Sequence, residues 1–225
     1  MKSASYQLLK KSSQTKARLG KLWTPHGEID TPVFMPVGTQ GTVKGVDIPS
    51  LISSGASIIL ANSYHLYLRP GTEIIKAAGG IAEFNSWRRP MLTDSGGFQI
   101  FSLNKMRKIK DDGVQFQSHI DGSTHFLSPQ KSIKIQKDIG ADIIMCFDEC
   151  APYPADLAYV KKAMTLSLDW AKLCKEEFDK DDDPLKQALF GIIQGGVYDD
   201  LRKFSAQKMI ELDFNGYAIG GLSVG

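Results

Sequence analysis

Short, continuous runs of apolar residues recur along the chain, and each run stops at polar residues or glycine. Strands that are apolar at every position are typical of parallel sheets covered on both faces. Longer segments with helical start and stop signals lie between the runs, such as Asp47 before a short helix and Gly140 after another. The predicted strands are residues 33–37, 57–61, 91–93, 142–147, 189–193 and 217–219, and the predicted helices are residues 47–53, 72–78, 129–140, 156–178 and 200–212.

Two segments break this alternation. Residues 6–31 contain a Pro25-His26-Gly27 turn, which predicts an antiparallel hairpin outside the repeat. In residues 106–127, apolar and polar positions alternate up to an Asp121-Gly122 turn, which predicts an inserted β-hairpin.

The series of strand–helix units predicts an α/β fold and favours a (β/α)8 TIM barrel, with a doubly wound parallel sheet as the alternative. Groups able to bind ligands follow four of the strands, which fits the barrel better because its C-terminal face collects all strand ends. Residues 1–225 are expected to form a single domain that contains the hairpin insertion. A barrel takes about 250 residues. We therefore expect an incomplete barrel of about six βα units, with its C-terminal strands missing.

Composition adds limits to this picture. Hydrophobic residues make up 42% and charged residues 23% of the chain, as in a folded globular protein. No apolar run approaches the roughly 20 residues of a membrane span, and the N-terminus lacks the apolar core of a signal peptide, so we expect a cytoplasmic protein. The cysteines Cys146, Cys150 and Cys174 are too few for a disulfide framework and have no zinc-type spacing.

A net charge of +2 neither requires nor excludes a nucleic-acid partner. One basic cluster does bear on this question, and it consists of Lys105, Arg107, Lys108 and Lys110. Such a cluster can contact a phosphate backbone, and a solvated basic loop is an equally good interpretation of it.

The candidate chemistry lies where predicted strands end. Asp94 leads into Ser95-Gly96-Gly97, where the backbone can turn tightly and lie close to a ligand. The further candidates are Asp148, Gln194, the backbone donors of Gly220 and Gly221, and the ring of Phe98. A carboxylate accepts paired N–H donors and an amide can donate to a carbonyl, so this set fits the polar edge of a purine such as guanine, with an aromatic ring to stack on it. One of the two carboxylates could then act as acid or base.

Three other features favour structural roles. His65 lies inside an apolar run, which indicates a hydrogen-bonding role rather than catalysis. Glu149 is expected to orient its neighbour Asp148. The pair Cys146 and Cys150 has too few additional ligands nearby in sequence for a metal site.

Five stretches together are similar to one family. They are NSYHLYLRPG at residues 62–71, DSGGFQ at 94–99, FDEC at 147–150, residues 191–195 around Gln194, and GGLSVG at 220–225. On these stretches the chain closely resembles the tRNA-guanine transglycosylases, also called queuine tRNA-ribosyltransferases, in their bacterial form. The resemblance implies a pentosyltransferase of queuosine biosynthesis that replaces guanine at the anticodon wobble position with 7-aminomethyl-7-deazaguanine by double displacement.

The resemblance also implies residue roles. Asp94 would be the general acid/base within the substrate-binding loop of Ser95, Gly96 and Gly97. The remaining implied roles are base-edge recognition by Asp148 and Gln194, a backbone N–H from Gly221, a backbone carbonyl from Leu222, stacking by Phe98 in place of the usual tyrosine, and pocket lining by Cys150 and Val224.

In this family the nucleophilic aspartate and a Cys3His zinc site lie after the sixth strand. The resemblance therefore implies zinc and a homodimer for the full-length protein, no metal ligands within residues 1–225, and no turnover by this chain alone. Two alternatives stay open, namely a non-catalytic tRNA-binding subunit of the same fold, and an unrelated TIM-barrel enzyme that uses Gly195-Gly196 and Gly220-Gly221 to bind a sugar phosphate.

Overall fold

A computed structural model describes residues 4–103, 107–180 and 187–224. The strands are β1 Ser5–Lys11, β2 Arg18–Thr24, β3 Gly27–Thr31, β4 Ile59–Ala61, β5 Met91–Thr93, β6 Lys108–Lys110, β7 Gly113–Gln117, β8 Thr124–Leu127, β9 Ile143–Met145, β10 Ala188–Ile193 and β11 Gly216–Ile219. The helices are α1 Ile48–Ser53, α2 Ser63–Leu68, α3 Thr72–Ala77, α4 Ile81–Asn85, α5 Gly97–Leu103, α6 Pro129–Ile139, α7 Leu157–Phe178 and α8 Asp199–Glu211.

These elements fall into two compact units. The first contains the described residues within Met1–Asp94, Gln136–Ile144 and Asp182–Ala188. The second contains those within Ser95–Ile135, Met145–Asp181 and Leu189–Gly225.

Parallel strands form the centre of the first unit. β4 pairs with β5, with Ala61 opposite Thr93, and β5 pairs with β9 through Leu92 and Ile143. These strands are short and almost fully buried, which explains why they read as continuous apolar runs. The predicted α/β character is therefore confirmed in this unit.

The first unit also carries an antiparallel sheet in the order β1-β2-β3. The predicted hairpin around residues 25–27 is confirmed, and β1 adds a third strand to it. The Tyr6 ring covers Gly20 of the neighbouring strand, and a Cβ atom at Gly20 would lie 2.2 Å from the Tyr6 hydroxyl oxygen.

The predicted strand at residues 33–37 is wrong. Only Val37 takes part in pairing, through an isolated parallel bridge to Leu60. Proline has no N–H to donate, so Pro32 and Pro36 cannot contribute to a regular ladder. The carbonyl of Pro36 still accepts from the Leu60 N–H at 3.0 Å.

The second unit combines a parallel pair with an antiparallel sheet. β10 and β11 run parallel, with Ile193 opposite Ile219. β6, β7 and β8 form the antiparallel sheet, and Val114 of β7 faces Leu127 of β8, as the predicted hairpin requires.

The long helix α7 organises the core of the second unit. Its N-terminus is capped by Asp156, whose carboxylate accepts from the Tyr159 N–H at 2.7 Å. On its buried face, the Trp170 ring stacks on Phe147 with centroids 4.9 Å apart. The Trp170 indole N–H donates to the Asp111 carbonyl at 2.7 Å, so the helix is tied to the loop before β7.

Candidate active site

Asp94 follows β5 directly and is held by the residues that follow the neighbouring strand β4. The Ser63 N–H donates to Oδ1 of Asp94 at 2.9 Å, and the Ser63 hydroxyl lies 3.3 Å from the same oxygen. The Asn62 side-chain amide donates to Oδ2. Because both oxygens accept hydrogen bonds, the orientation of the carboxylate is set before a substrate binds.

No role was predicted for Asn62 or Ser63 from the sequence. Both are buried, with 8% and 2% of their surface exposed. The signal available in the sequence was their position after an apolar run, one strand before Asp94. Groups at the carboxyl ends of adjacent parallel strands come close together, and this rule could have predicted the contact of Asn62 and Ser63 with Asp94.

Asp148 lies in the second unit, three residues after β9, and only 8% of it is exposed. Its Oδ1 accepts from the Ser95 hydroxyl at 3.0 Å, and its Oδ2 accepts from the Gln194 side-chain amide at 2.6 Å. Protein donors therefore fix both oxygens of the Asp148 carboxylate, and hydrogen bonds to an ionised group are among the stronger ones in proteins.

The loop around Ser95 is fitted closely to Asp148. The Ser95 hydroxyl accepts from the Gly97 N–H at 3.1 Å, and the Ser95 carbonyl accepts from the Ser132 hydroxyl at 2.8 Å. A Cβ atom on Gly97 would lie 2.5 Å from the carbonyl oxygen of Asp148, so only glycine allows this approach. Gly96 accepts the first helical bond of α5, from the Ile100 N–H.

Gln194 is 3% exposed and follows β10. Its own N–H donates to the Ser205 hydroxyl of α8 at 3.1 Å, which fixes the start of the side chain. Its Oε1 faces Gly221, and a Cβ atom on Gly221 would lie only 2.7 Å from this oxygen. The backbone φ of Gly221 is +73°, a conformation that favours glycine. One N–H of the Gln194 amide is used on Asp148, and the other can serve a ligand.

The expectation that Gly220 offers a free backbone donor is wrong. Its N–H donates to the Ile193 carbonyl at 2.9 Å, which continues the ladder between β10 and β11. Its carbonyl accepts from the Arg202 guanidinium at 3.1 Å. Of the two glycines, Gly221 is the remaining candidate donor.

The other predicted residues of this loop lie at the surface or close to it. The Leu222 side chain is 59% exposed, and Val224 is half-buried. Phe98 is the second residue of α5 and is 43% exposed, which leaves a ring face for stacking. Its centroid lies 6.2 Å from that of Phe101 one turn later.

Cys150 and Glu149 adjoin Asp148 and differ in their surroundings. Cys150 is 5% exposed, and burial, together with the charge of Asp148, raises the pKa of its thiol to about 12. Glu149 donates its N–H to the Ser167 hydroxyl at 2.9 Å and accepts from the Tyr159 hydroxyl at 2.7 Å. Both partners lie on α7, so the residue next to Asp148 is anchored to the long helix.

The residues of the basic cluster differ in their exposure and contacts. Lys105 lies outside the described residues. Lys108 and Lys110 are exposed at alternate positions of β6 and point to the same side of the strand. Arg107 is half-buried and donates to the Phe101 carbonyl at 2.8 Å.

Neither a metal-ligand cluster nor a helix able to span a membrane occurs among the residues that the structure describes. Within them, no group of three or more His, Cys, Asp and Glu side chains could hold a metal ion. None of the helices in the same ranges combines the length and the hydropathy that a membrane span requires.

Comparison with known proteins gave one consistent result. A family model described as queuine tRNA-ribosyltransferase matches residues 12–225. Curated proteins named queuine tRNA-ribosyltransferase are similar over the whole chain. Those from Acetivibrio thermocellus and a Thermoanaerobacter species are 60% and 61% identical over 225 residues, which is 100% of this chain and 59% of each relative.

A more distant relative from Lysinibacillus sphaericus, with the same name, is 56% identical over 220 residues, which is 98% of this chain and 57% of that protein. The chain thus spans about three fifths of the length of the curated relatives that it matches.

Proposed function

Since the chain belongs to the queuine tRNA-ribosyltransferase family, we propose that the protein is a transferase that exchanges guanine at the wobble position of tRNA for 7-aminomethyl-7-deazaguanine. The observation that carries this proposal is the buried carboxylate of Asp148, held by Ser95 and Gln194. The guanine edge presents adjacent N–H donors beside a carbonyl. A fixed carboxylate next to an amide N–H complements that edge and rejects adenine, whose edge reverses the pattern.

We assign proton transfer to Asp94. Base exchange at an anomeric carbon with retained configuration takes two displacements. In the first, a nucleophile bonds to the anomeric carbon as the bond to guanine breaks, and the leaving base takes a proton from an acid. In the second, the entering base bonds to the carbon and gives up its proton as the nucleophile leaves. A positioned carboxylate serves both steps, and Asn62 and Ser63 support this role by holding Asp94.

The nucleophile is proposed to come from residues other than these two carboxylates, because one has been assigned to recognition and the other to proton transfer. Gly221, Leu222 and Phe98 are proposed to contribute a backbone N–H, a backbone carbonyl and a stacking face. Cys150 and Val224 are proposed to line the base pocket.

The finer architecture is also a proposal. Parallel strands flanked by helices support a single TIM-barrel domain. β11 exposes Tyr217 and Ile219, at 39% and 70%, and further strands of a barrel would cover these apolar positions. For the full-length protein we propose a zinc subdomain and a homodimer, both outside the residues described. Because the proposed substrate is a tRNA, we also propose a cytoplasmic location.

The proposal is tested by measuring guanine binding by calorimetry and exchange of labelled guanine into tRNA, with adenine and a sugar phosphate as comparison ligands. Binding of guanine and 7-aminomethyl-7-deazaguanine, without binding of adenine, is expected. Binding of the sugar phosphate alone would favour the unrelated barrel enzyme. Binding of tRNA by the full-length protein without exchange would favour a non-catalytic subunit.

A further inference from the structure

We propose that Arg107 is a positioning residue for the stacking ring of Phe98, and that it serves the base pocket rather than the phosphates of tRNA. The inference rests on the proposed function, because that function makes Phe98 the ring that stacks on the base. The inference also gives Arg107 a different role from its basic neighbours. Lys108 and Lys110 are exposed, as a contact with phosphate requires.

The first contact joins Arg107 to the helix that carries Phe98. Its Nη1 donates to the Phe101 carbonyl at 2.8 Å. Carbonyl groups in the last turn of a helix lack a partner within the helix, and arginine side chains can bond to them. Arg107 therefore stabilises the C-terminal part of α5, one turn after Phe98.

The second contact is with the ring of Phe101. The guanidinium carbon of Arg107 lies 4.6 Å from the ring centroid, within the range of a cation–π interaction. The rings of Phe101 and Phe98 lie 6.2 Å apart, with planes inclined by 34°. Arg107 holds Phe101, and Phe101 supports one side of the exposed Phe98 ring. The orientation of the stacking face therefore depends on Arg107.

Arg107 also faces the residues beside Asp148. A small cavity of about 20 Å³, which is room for about one water molecule, is lined by residues that include Arg107, Phe101, Asp148, Glu149 and Cys150. Burial and the bond to Glu149 raise the pKa of the Tyr159 phenol to about 12, and the charge of Arg107 opposes that rise. Arg107 thus lies between the stacking helix and the residues beside the base-reading carboxylate.

Lys208 provides a control for the loss of one positive charge, because it is exposed and pairs with Glu211 on α8. Arg107→Ala should weaken guanine binding about tenfold, since a hydrogen bond and a cation–π contact are lost. Arg107→Lys should recover part of this loss, because an ammonium group can still donate to the Phe101 carbonyl. Lys208→Ala should leave guanine affinity within about twofold of the wild type.

Two further measurements separate a positioning role from a phosphate contact. Hydrogen exchange of the α5 amides should be faster in Arg107→Ala and unchanged in Lys208→Ala. In the full-length protein, the slope of log affinity for tRNA against log salt should be unchanged in Arg107→Ala, whereas loss of one phosphate contact lowers it by about one unit.

The outcomes are distinct. If Arg107→Ala keeps its guanine affinity and its α5 exchange rates, or loses a unit of salt slope instead, the positioning role is overturned. If the wild-type protein does not bind guanine, the proposed function fails, and the α5 exchange rates still decide whether Arg107 holds the helix. Unfolding curves of both arginine variants control for loss of the fold.

Discussion

The side-chain amide of Gln194 donates to Oδ2 of Asp148 across 2.6 Å, and both residues are buried. The two side chains follow different strands, β9 and β10, so the bond depends on the tertiary arrangement of these strands. Ser95 holds the other oxygen at 3.0 Å. A carboxylate fixed in this way loses little conformational freedom when a ligand binds, which favours affinity.

Asp148→Asn should reduce guanine affinity by about a hundredfold or more, because an amide replaces one acceptor oxygen with a donor and charge-assisted bonds are lost. Calorimetry with guanine measures the effect. Asp169→Asn is the control, since this carboxylate is exposed and paired with Lys172 on the surface of α7. Unchanged affinity in Asp148→Asn would remove Asp148 from base recognition.

Asn62→Ala should lower the kcat of base exchange about tenfold and leave guanine affinity nearly unchanged, because Asn62 orients Asp94 rather than the base. Ser63→Ala is the matched control. It keeps the backbone N–H that donates to Asp94 at 2.9 Å and loses only the longer hydroxyl contact. Equal loss of kcat in the two variants would argue against this role for Asn62.

Replacing Lys108 and Lys110 together by alanine should weaken tRNA binding and lower its salt slope by about two units, one for each lost phosphate contact. Affinity measured from low to moderate salt in the full-length protein tests this. Lys208→Ala serves as control, because Lys208 pairs with Glu211 on α8. An unaltered slope in the double variant would identify β6 as a solvated basic strand.

His26 should make the stability of the first unit depend on pH. Its Nδ1 lies 3.0 Å from the buried carboxylate of Asp142, which also accepts from the His26 and Met91 N–H groups. The hydrogen bond to Asp142 is the main cause that raises the pKa of His26 above its ordinary value, and the charge of Glu83 contributes. Stability gained from charged His26 is therefore fully present below about pH 6.5 and is lost as the pH rises through the raised pKa.

The measurement compares urea unfolding of the wild type and His26→Gln at pH 5.5 and pH 9. The difference in the free energy of unfolding should be about 1 kcal/mol at the lower pH, because partial exposure of His26 weakens the pair, and should shrink at the higher pH. A difference that does not change with pH would mean that the charge of His26 contributes nothing.

The cysteines should resist alkylation in the native protein. Burial raises the pKa of Cys150 and of Cys174 to about 12, and that of Cys146 well above its ordinary value. At pH 8 the thiolate fraction is then on the order of one in ten thousand for a pKa of 12. Mass spectrometry after iodoacetamide treatment should show little labelling until denaturant is added. Rapid native labelling of Cys150 would show that this position opens to solvent.

Three short helices were missed by the sequence patterns, whereas the short helices α1 and α3 were predicted from their start and stop signals. α2, α4 and α5 have seven residues or fewer and lie within or beside apolar runs. Such a helix is too short to establish a period of 3.6 residues, and its formation depends on packing rather than on intrinsic propensity. Longer helices such as α7, with a capping aspartate and several turns of periodicity, were predicted almost to their ends.

The amino-acid sequence alone is enough to identify the groups at the carboxyl ends of the buried strands, because apolar runs and the polar residues that follow them are local features. Asp94, Asp148 and Gln194 were identified in this way, and the family resemblance carried by the same stretches was confirmed. The contacts that each group makes depend on the three-dimensional fold. The sheet ladder uses the N–H of Gly220, Asn62 holds Asp94, and Arg107 bonds to α5. Hydrogen-bond partners that are distant in sequence depend on which strands and loops become neighbours in the fold. A local sequence pattern does not contain this information.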